Sequence, residues 1–191
     1  MKTCVMVGIP TKGEIKTKTV DNLLGMLRYS GLKGIEAKHI FAEGTVVQLV
    51  RTKIVEEFLK YPQFSHLLWI DSDQTFSPDF LDKLLSYDKD IVAAISKVRS
   101  GENYNVYEYD KETKLYRPLK LEKEEGLIKV DAVGMGMMLV KRKVFECIRR
   151  IEADKAKSED IVFCERAKEL NFEIWADTSL KLGHIVTVEI K

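Results

Sequence analysis

Two short segments of this sequence, 3–9 and 66–70, are apolar on nearly every residue. A strand exposed on one face alternates apolar with polar side chains, so a continuous apolar run indicates a strand buried on both faces. Residues 20–29 and 46–59, which lie between such strands, show helical spacing of their apolar positions. Strands that alternate with helices predict a doubly wound sheet with helices on both sides.

The remaining segments follow the same rhythm, with one interruption. Further strands are expected at 35–41, 90–94, 172–175 and 184–190, and further helices from Pro78 after a Ser77 cap, at 141–151 and at 159–170. Short strand-like segments with polar turns between them, at 104–109, 114–119 and 127–130, predict an antiparallel insert. The expected fold is a single α/β domain over 1–191, with a Rossmann-like, doubly wound mixed sheet and a small antiparallel insert.

Composition excludes several classes of function. Lys and Arg number 31 against 30 Asp and Glu, so no field of one sign draws the whole molecule to nucleic acid. No stretch approaches the ~18 apolar residues of a membrane-spanning helix, so we expect at most peripheral membrane contact. The cysteines Cys4, Cys147 and Cys164 are far apart and form no metal-binding or disulfide pattern. A cytoplasmic protein is therefore expected.

Two carboxylates follow the third predicted strand directly, in the sequence LLWIDSDQTF. Asp71 and Asp73 are two residues apart, so both side chains point the same way if the chain stays extended. Converging carboxylates repel each other unless a cation lies between them, and Mg²⁺ or Mn²⁺ takes such oxygens together with substrate phosphates. The pair is a candidate metal site, although acidic residues in turns and helix caps give the same pattern.

The segment resembles the D-x-D motif of GT-A glycosyltransferases, which use nucleotide-diphosphate-sugar donors. The resemblance implies that Asp73 binds the metal and that Asp71 contacts the donor and the same metal site. It also implies that His184 is a further metal ligand, which would favour Mn²⁺ over Mg²⁺. A loop with Gly134 and Gly136 would lie beside the donor sugar and the acceptor. Two glycines alone would indicate only a strand bulge.

A second acidic pair, Glu159 and Asp160, begins a predicted helix after Ser158. Interaction with the helix dipole explains acidic residues at such a position without any catalytic role. The resemblance implies a different role, because inverting GT-A enzymes carry their general base at this place. Asp160 is then the expected base, which must reach the proton of the acceptor hydroxyl, and Glu159 is the nearest competitor.

The nucleotide is expected at the carboxyl ends of the first two strands, at Pro10, Thr11 and Glu43. Arg51 resembles a helix-borne arginine that faces the nucleotide in this superfamily, while a surface arginine is the alternative. The resemblance thus divides the chain into a nucleotide-binding half, 1–100, and an acceptor-side half, 101–191. The expected enzyme is a metal-dependent, inverting hexosyltransferase, whose acceptor could be a carbohydrate, a lipid-linked group or a protein.

Three other functions compete with this interpretation. The string DSDQT also satisfies the D-x-D-x-T signature of haloacid-dehalogenase-like phosphatases, but two strand-helix units precede it, whereas those enzymes usually carry it after the first strand. Nucleotidyltransferases of similar fold carry a glycine-rich basic loop after the first strand, which GIPTKGEIK matches poorly. A non-catalytic nucleotide-sugar-binding module on the same scaffold is the third alternative.

Overall fold

The computed structural model describes residues 3–98, 101, 103–121 and 126–186. In this part of the chain the strands are β1 (Cys4–Thr11), β2 (Glu36–Glu43), β3 (His66–Ile70), β4 (Gln74–Thr75), β5 (Ile91–Ser96), β6 (Val106–Asp110), β7 (Leu115–Pro118), β8 (Leu127–Val130), β9 (Ala132–Val133), β10 (Met137–Lys141) and β11 (Ile174–His184). The helices are α1 (Thr17–Leu32), α2 (Val47–Lys60), α3 (Phe80–Ser86), α4 (Arg142–Cys147) and α5 (Glu159–Glu169).

An eight-stranded mixed sheet forms the centre of the domain, in the order β2-β1-β3-β10-β5-β11-β4, with β8 also paired to β11. β1 is parallel to β2 and β3, and β5 is parallel to β11. β10 runs antiparallel to both of its neighbours, β3 and β5. The mixed, doubly wound α/β fold predicted from the sequence is therefore confirmed.

Helices cover both faces of this sheet, which is why its central strands are apolar on successive residues. One apolar cluster joins the sheet to α2, α4 and α5 and includes Phe58, Phe145 and Trp69, all fully buried. The other joins it to α1 and α3 and includes Met26 and Leu68, also fully buried. The neighbours Leu68 and Trp69 of β3 thus belong to opposite clusters, as a strand buried on both faces requires.

The antiparallel insert differs from its prediction. It is a three-stranded sheet in the order β7-β6-β9, whereas residues 127–130, which were expected in it, form β8 and pair with β11 in the main sheet. The sequence predicts no strand at 137–141, where β10 lies at the centre of the sheet. The helix predicted at 141–151 is too long, because α4 ends at Cys147. Short strand patterns do not encode the pairing partner, which decides the sheet to which a strand belongs.

The end of the fold and two helix boundaries also differ. The strand predicted at 172–175 is part of a longer one, β11, which runs from Ile174 to His184 and whose pairing to β5 shifts register between Asp177 and Lys181. His184 therefore ends this strand and does not begin one; residues 187–190 lie outside the described part. α3 begins at Phe80 after Asp79 and not at Pro78, because residues 77–80 form a turn closed by a backbone hydrogen bond.

The cysteines of the chain differ in their exposure. All three cysteines are free; Cys4 and Cys164 are buried and Cys147 is exposed. Burial raises the pKa of the Cys164 thiol to about 12, so this side chain behaves as a small apolar residue. In the described residues no helix is long and apolar enough to cross a membrane.

Close packing of β1 against α2 requires glycine at position 8. A Cβ added to Gly8 would lie 2.6 Å from Cγ2 of Ile54 and 3.2 Å from both Leu67 and Trp69. We predict that Gly8→Ala lowers the free energy of unfolding by about 1–3 kcal/mol, because the buried neighbours cannot move aside. Gly31→Ala in α1, where nothing lies within 4 Å, is the control and should be neutral or stabilising by up to about 1 kcal/mol. Urea unfolding measures both; equal effects would contradict the packing argument.

Candidate active site

The chain turns immediately after β3, so the two carboxylates of the D-x-D segment take different partners. Asp71 Oδ1 accepts a hydrogen bond from Nη2 of Arg51 at 2.8 Å. Asp73 Oδ2 lies 3.1 Å from Nε2 of His184. The extended conformation assumed from the sequence is therefore wrong, because β3 ends at Ile70 and residues 71–73 form the turn.

Backbone hydrogen bonds from three distant segments hold this turn in place. They run from Asp71 N to Gly136 O (3.0 Å), from Lys16 N to Ser72 O (2.9 Å) and from Ile185 N to Asp73 O (2.8 Å). The donors and acceptors come from the start of α1, the residue before β10 and the residue after β11. The acidic turn is thus a point where remote parts of the sequence meet.

Arg51 is the buried cation of the site. Its side chain is 3 % exposed, and it lies between Asp71 and Glu159, whose Oε1 is 3.5 Å from Nε. The guanidinium carbon also lies 5.2 Å from the ring centre of Trp69. Burial is the largest influence on Asp71 and raises the pKa of its carboxyl, while the positive charge of Arg51 opposes that change.

The 3.1 Å contact between Asp73 and His184 is a direct hydrogen bond, at a separation that two ligands of one divalent ion would also have. Neighbouring ligands of an octahedral ion with bonds of about 2.1 Å lie about 3.0 Å apart, close to the observed separation. Both side chains are accessible, at 19 % and 20 % exposure. Within the described residues no group of three or more His, Cys, Asp or Glu side chains could hold a metal alone. The two residues therefore fit a metal that takes its other ligands from substrate or water.

Two adjoining pockets border the acidic turn. The larger, of about 870 Å³, is lined by Pro10, Thr11, Lys12, Glu14, Lys16, Gly44, Val47, Val50, Arg51, Asp71, Ser72, Asp73, Ser158, Glu159 and His184. The smaller, of about 310 Å³, is lined by Arg51, Asp71, Gln74, Ser96, Lys97, Val98, Asn105, Tyr107, Gly134, Met135, Gly136, Glu159, Asp160 and His184. Arg51, Asp71, Glu159 and His184 line both, so a ligand could extend from one pocket into the other.

The acidic start of α5 presents its two carboxylates differently. Glu159 faces Arg51 and is mostly buried, whereas Asp160 lines only the smaller pocket. Asp160 Oδ1 accepts hydrogen bonds from the Ile161 N–H at 2.9 Å and from the Ser158 hydroxyl. Ser158 stands at the N-cap, as predicted, but its hydroxyl does not cap a backbone N–H. These contacts fix one oxygen of Asp160 beside the pocket.

The glycines of the loop before β10 accommodate neighbouring side chains. A Cβ on Gly134 would collide with the carboxamide of Asn105, and one on Gly136 would lie 3.2 Å from Nε2 of Gln74. Both glycines line the smaller pocket, and Met135 beside them is buried. Packing therefore disfavours a side chain at Gly134, whereas at Gly136 a Cβ would fit if the Gln74 amide moved by a few tenths of an ångström.

The predicted site residues converge, with one exception. Glu43 is exposed at the end of β2, beside Gly13 of the loop after β1, and is not among the residues that line either pocket. Sequence reasoning did not select Lys12, Lys16, Gln74 or Asn105. Gln74 could have been selected from the sequence, because it directly follows Asp73. No local sequence signal indicates Asn105.

On its sheet order the domain is assigned to the GT-A fold. Similar solved structures support this assignment. A197 from STIV matches at a TM-score of 0.69 and 22 % identity, over 96 % of this chain and 86 % of that one. GalNAc-T7 with UDP, GalNAc and Mn²⁺ matches at 0.62 and 11 % identity, over 98 % of this chain and 44 % of that one.

A Drosophila beta-1,4-galactosyltransferase 7 mutant, in complex with manganese, UDP-Gal and xylobiose, matches at a TM-score of 0.61 and 11 % identity, over 97 % of this chain and 71 % of that one. At these identities the likeness concerns the fold. No protein-family model matches the chain, and no curated protein sequence matches it.

The ion pairs of the buried Arg51 should contribute more to the free energy of unfolding than an exposed ion pair with a similar N–O distance. We predict that Arg51→Met lowers the free energy of unfolding by about 3 kcal/mol, because Asp71 and Glu159 are left without their cation. In double-mutant cycles the coupling to Asp71→Asn should exceed the coupling to Glu159→Gln, since the first contact is shorter.

Lys129→Met is the control for this prediction, because Lys129 Nζ lies 2.7 Å from Glu173 Oε1 and the side chains are 59 % and 54 % exposed. Its cost should stay below about 1 kcal/mol. Urea unfolding measures each variant, and an Arg51→Met cost no larger than that of Lys129→Met would refute the structural role of Arg51.

Proposed function

We propose that this chain is a glycosyltransferase that moves a sugar from a nucleotide-diphosphate donor to an acceptor hydroxyl, with Mn²⁺ or Mg²⁺ as cofactor and inversion at the anomeric carbon. The observation that carries this proposal is the 3.1 Å contact between Asp73 and His184 at the mouth of the larger pocket. These residues are remote in sequence, and their separation suits two ligands of one ion.

The proposed nucleotide site is the larger pocket. Pro10, Thr11 and Arg51 line it, together with the basic side chains of Lys12 and Lys16. Lysines suit the phosphates of a donor, whereas the carboxylates that line the same pocket suit a cation. This arrangement supports a nucleotide-binding half over 1–100 and an acceptor-side half over 101–191. Glu43 is no longer proposed to contact the nucleotide.

In the proposed reaction, Asp73 and His184 hold the metal and Asp71 borders the donor. A bound Mn²⁺ or Mg²⁺ would neutralise charge on the diphosphate leaving group. Asp160 accepts the proton of the acceptor hydroxyl, whose oxygen bonds to the anomeric carbon as the bond from that carbon to the diphosphate breaks. Glu159 is the weaker candidate for the base, because it already faces Arg51.

Of the rival functions, the phosphatase receives less support. The phosphatase interpretation requires a nucleophilic first aspartate, and Asp71 is engaged by Arg51. Nucleotidyl transfer would bring a sugar phosphate and a nucleoside triphosphate to the same scaffold, and a binding module would hold the donor without turnover.

Free cysteines fit the proposed cytoplasmic setting. The proposed acceptor is a hydroxyl of a carbohydrate, a lipid-linked group or a protein.

Binding of the donor should depend on the metal and on its two proposed ligands. We predict that UDP or a UDP-sugar at about 100 times its Kd stabilises the protein by roughly 3 kcal/mol in Mn²⁺, raising Tm by about 5–10 °C. Asp73→Asn and His184→Gln should abolish the Mn²⁺-dependent part of this shift, measured by thermal unfolding with and without EDTA. GDP-mannose serves as the probe for a different base.

Asp21→Asn and His39→Gln are matched controls, because they make the same changes at exposed positions outside both pockets. They should keep the full shift. An unchanged shift in Asp73→Asn and His184→Gln would rule out the metal assignment, while an absent shift with every nucleotide would rule out the donor class.

A substitution of Asp160 should lower turnover without weakening donor binding. We predict that Asp160→Asn keeps the Mn²⁺-dependent thermal shift but lowers the rate of UDP release from a UDP-sugar about 10²- to 10⁴-fold, because the attacking hydroxyl or water loses its general base. Ser158→Ala, which removes only the neighbouring hydroxyl, should cost far less. The measurement is enzyme-coupled UDP detection.

Two assays distinguish the rival functions in the same experiment. Formation of UTP from pyrophosphate and a UDP-sugar would indicate a nucleotidyltransferase. Inhibition by a phosphate-mimicking fluoride, without any dependence on nucleotide sugars, would indicate a phosphatase. Normal turnover by Asp160→Asn would exclude its role as the base.

A further inference from the structure

Two carboxamide side chains line the smaller pocket, but their oxygens are used differently. Oδ1 of Asn105 accepts a hydrogen bond from the Ser96 N–H at 2.8 Å, so this amide is committed to the fold. Gln74 is 2 % exposed, and its Oε1 has no hydrogen-bond partner among the residues that the structure describes. An unpaired buried oxygen is destabilising, so Gln74 weakens the empty protein.

The backbone holds Gln74 between the metal-site pair and the smaller pocket. It follows Asp73 directly, and its residue in β4 pairs with His184 in β11. Its N–H also donates to Asp71 O at 3.3 Å. The Gln74 side chain packs over Gly136. Its terminal amide can still turn, because rotation about χ3 of glutamine meets only a low barrier. Such a rotation can present either the oxygen or the nitrogen to a ligand.

Resting on the proposed function, we propose that Gln74 is a specificity-determining residue that binds a hydroxyl of the transferred sugar through its amide oxygen. A sugar hydroxyl donates the missing hydrogen bond. A neutral sugar suits this pocket better than an acidic one, because three carboxylates, of Asp71, Glu159 and Asp160, line it against two cations, Arg51 and Lys97. A donor that lacks the hydroxyl leaves the oxygen unpaired and is bound more weakly.

The test compares Gln74→Met with the unchanged protein, because methionine has a similar shape and lacks the amide. Titration calorimetry with Mn²⁺ measures the Kd of UDP, UDP-glucose, UDP-galactose, UDP-N-acetylglucosamine and GDP-mannose, without acceptor. We expect the Kd of UDP to be unchanged, and the Kd of the preferred nucleotide sugar to rise about 10- to 100-fold. The Tm of the empty protein should stay the same or rise. Gln63→Met, at an exposed position, is the matched control and should change neither.

Deoxy analogues of the preferred donor identify the hydroxyl. The analogue lacking the group bound by Gln74 should bind more weakly to the unchanged protein, and Gln74→Met should discriminate little between that analogue and the parent sugar. Equal loss of affinity for UDP and for the nucleotide sugar, or a lower Tm of the empty protein, would overturn this inference by revealing a structural role. An unchanged sugar affinity would overturn it too. Failure of every nucleotide to bind would instead overturn the proposed function, and this inference with it.

Discussion

The geometry of the site depends on the interaction of the buried Arg51 guanidinium with two carboxylates, Asp71 and Glu159. A cation that has lost its hydration needs charge compensation nearby, and Asp71 and Glu159 supply it from the turn after β3 and from the start of α5. Each of these carboxylates has an acidic neighbour, Asp73 or Asp160, that also lines a pocket and takes another partner, His184 or Ser158. One arginine therefore orients two acidic segments and leaves one carboxylate of each available for chemistry.

The antiparallel strand β10 completes this arrangement. Its first residue, Met137, pairs with Ile70, so the carbonyl of the preceding glycine meets the N–H of Asp71. On the other side, β11 pairs with β5 before and after its register shift and then with β4, which carries His184 to the acidic turn. Backbone pairing, more than side-chain packing, thus brings the histidine to Asp73.

The parts of the fold that the sequence predicts are those that local patterns encode. Continuous apolar runs identify β1 and β3, and the position of Asp71 and Asp73 after such a run indicates the edge where ligands collect. β10 and β11 were missed or misdivided because non-local pairing decides them: the shift between Asp177 and Lys181 leaves no periodic signal. For the same reason Gln74 and Asn105 could not be placed in the pocket, whereas topology alone put Glu43 at the nucleotide site and the structure leaves it outside both pockets.

The charges around the proposed metal site determine how donor and metal would combine. The described residues offer two side chains, Asp73 and His184, with the separation of neighbouring metal ligands, and Arg51 already neutralises Asp71 in part. Two side-chain ligands hold an octahedral ion weakly, so diphosphate oxygens are needed to complete its shell. Metal and donor should therefore bind with positive coupling, each raising the affinity of the protein for the other, as thermodynamic linkage requires. A third protein ligand would hold the ion without the donor and remove that coupling.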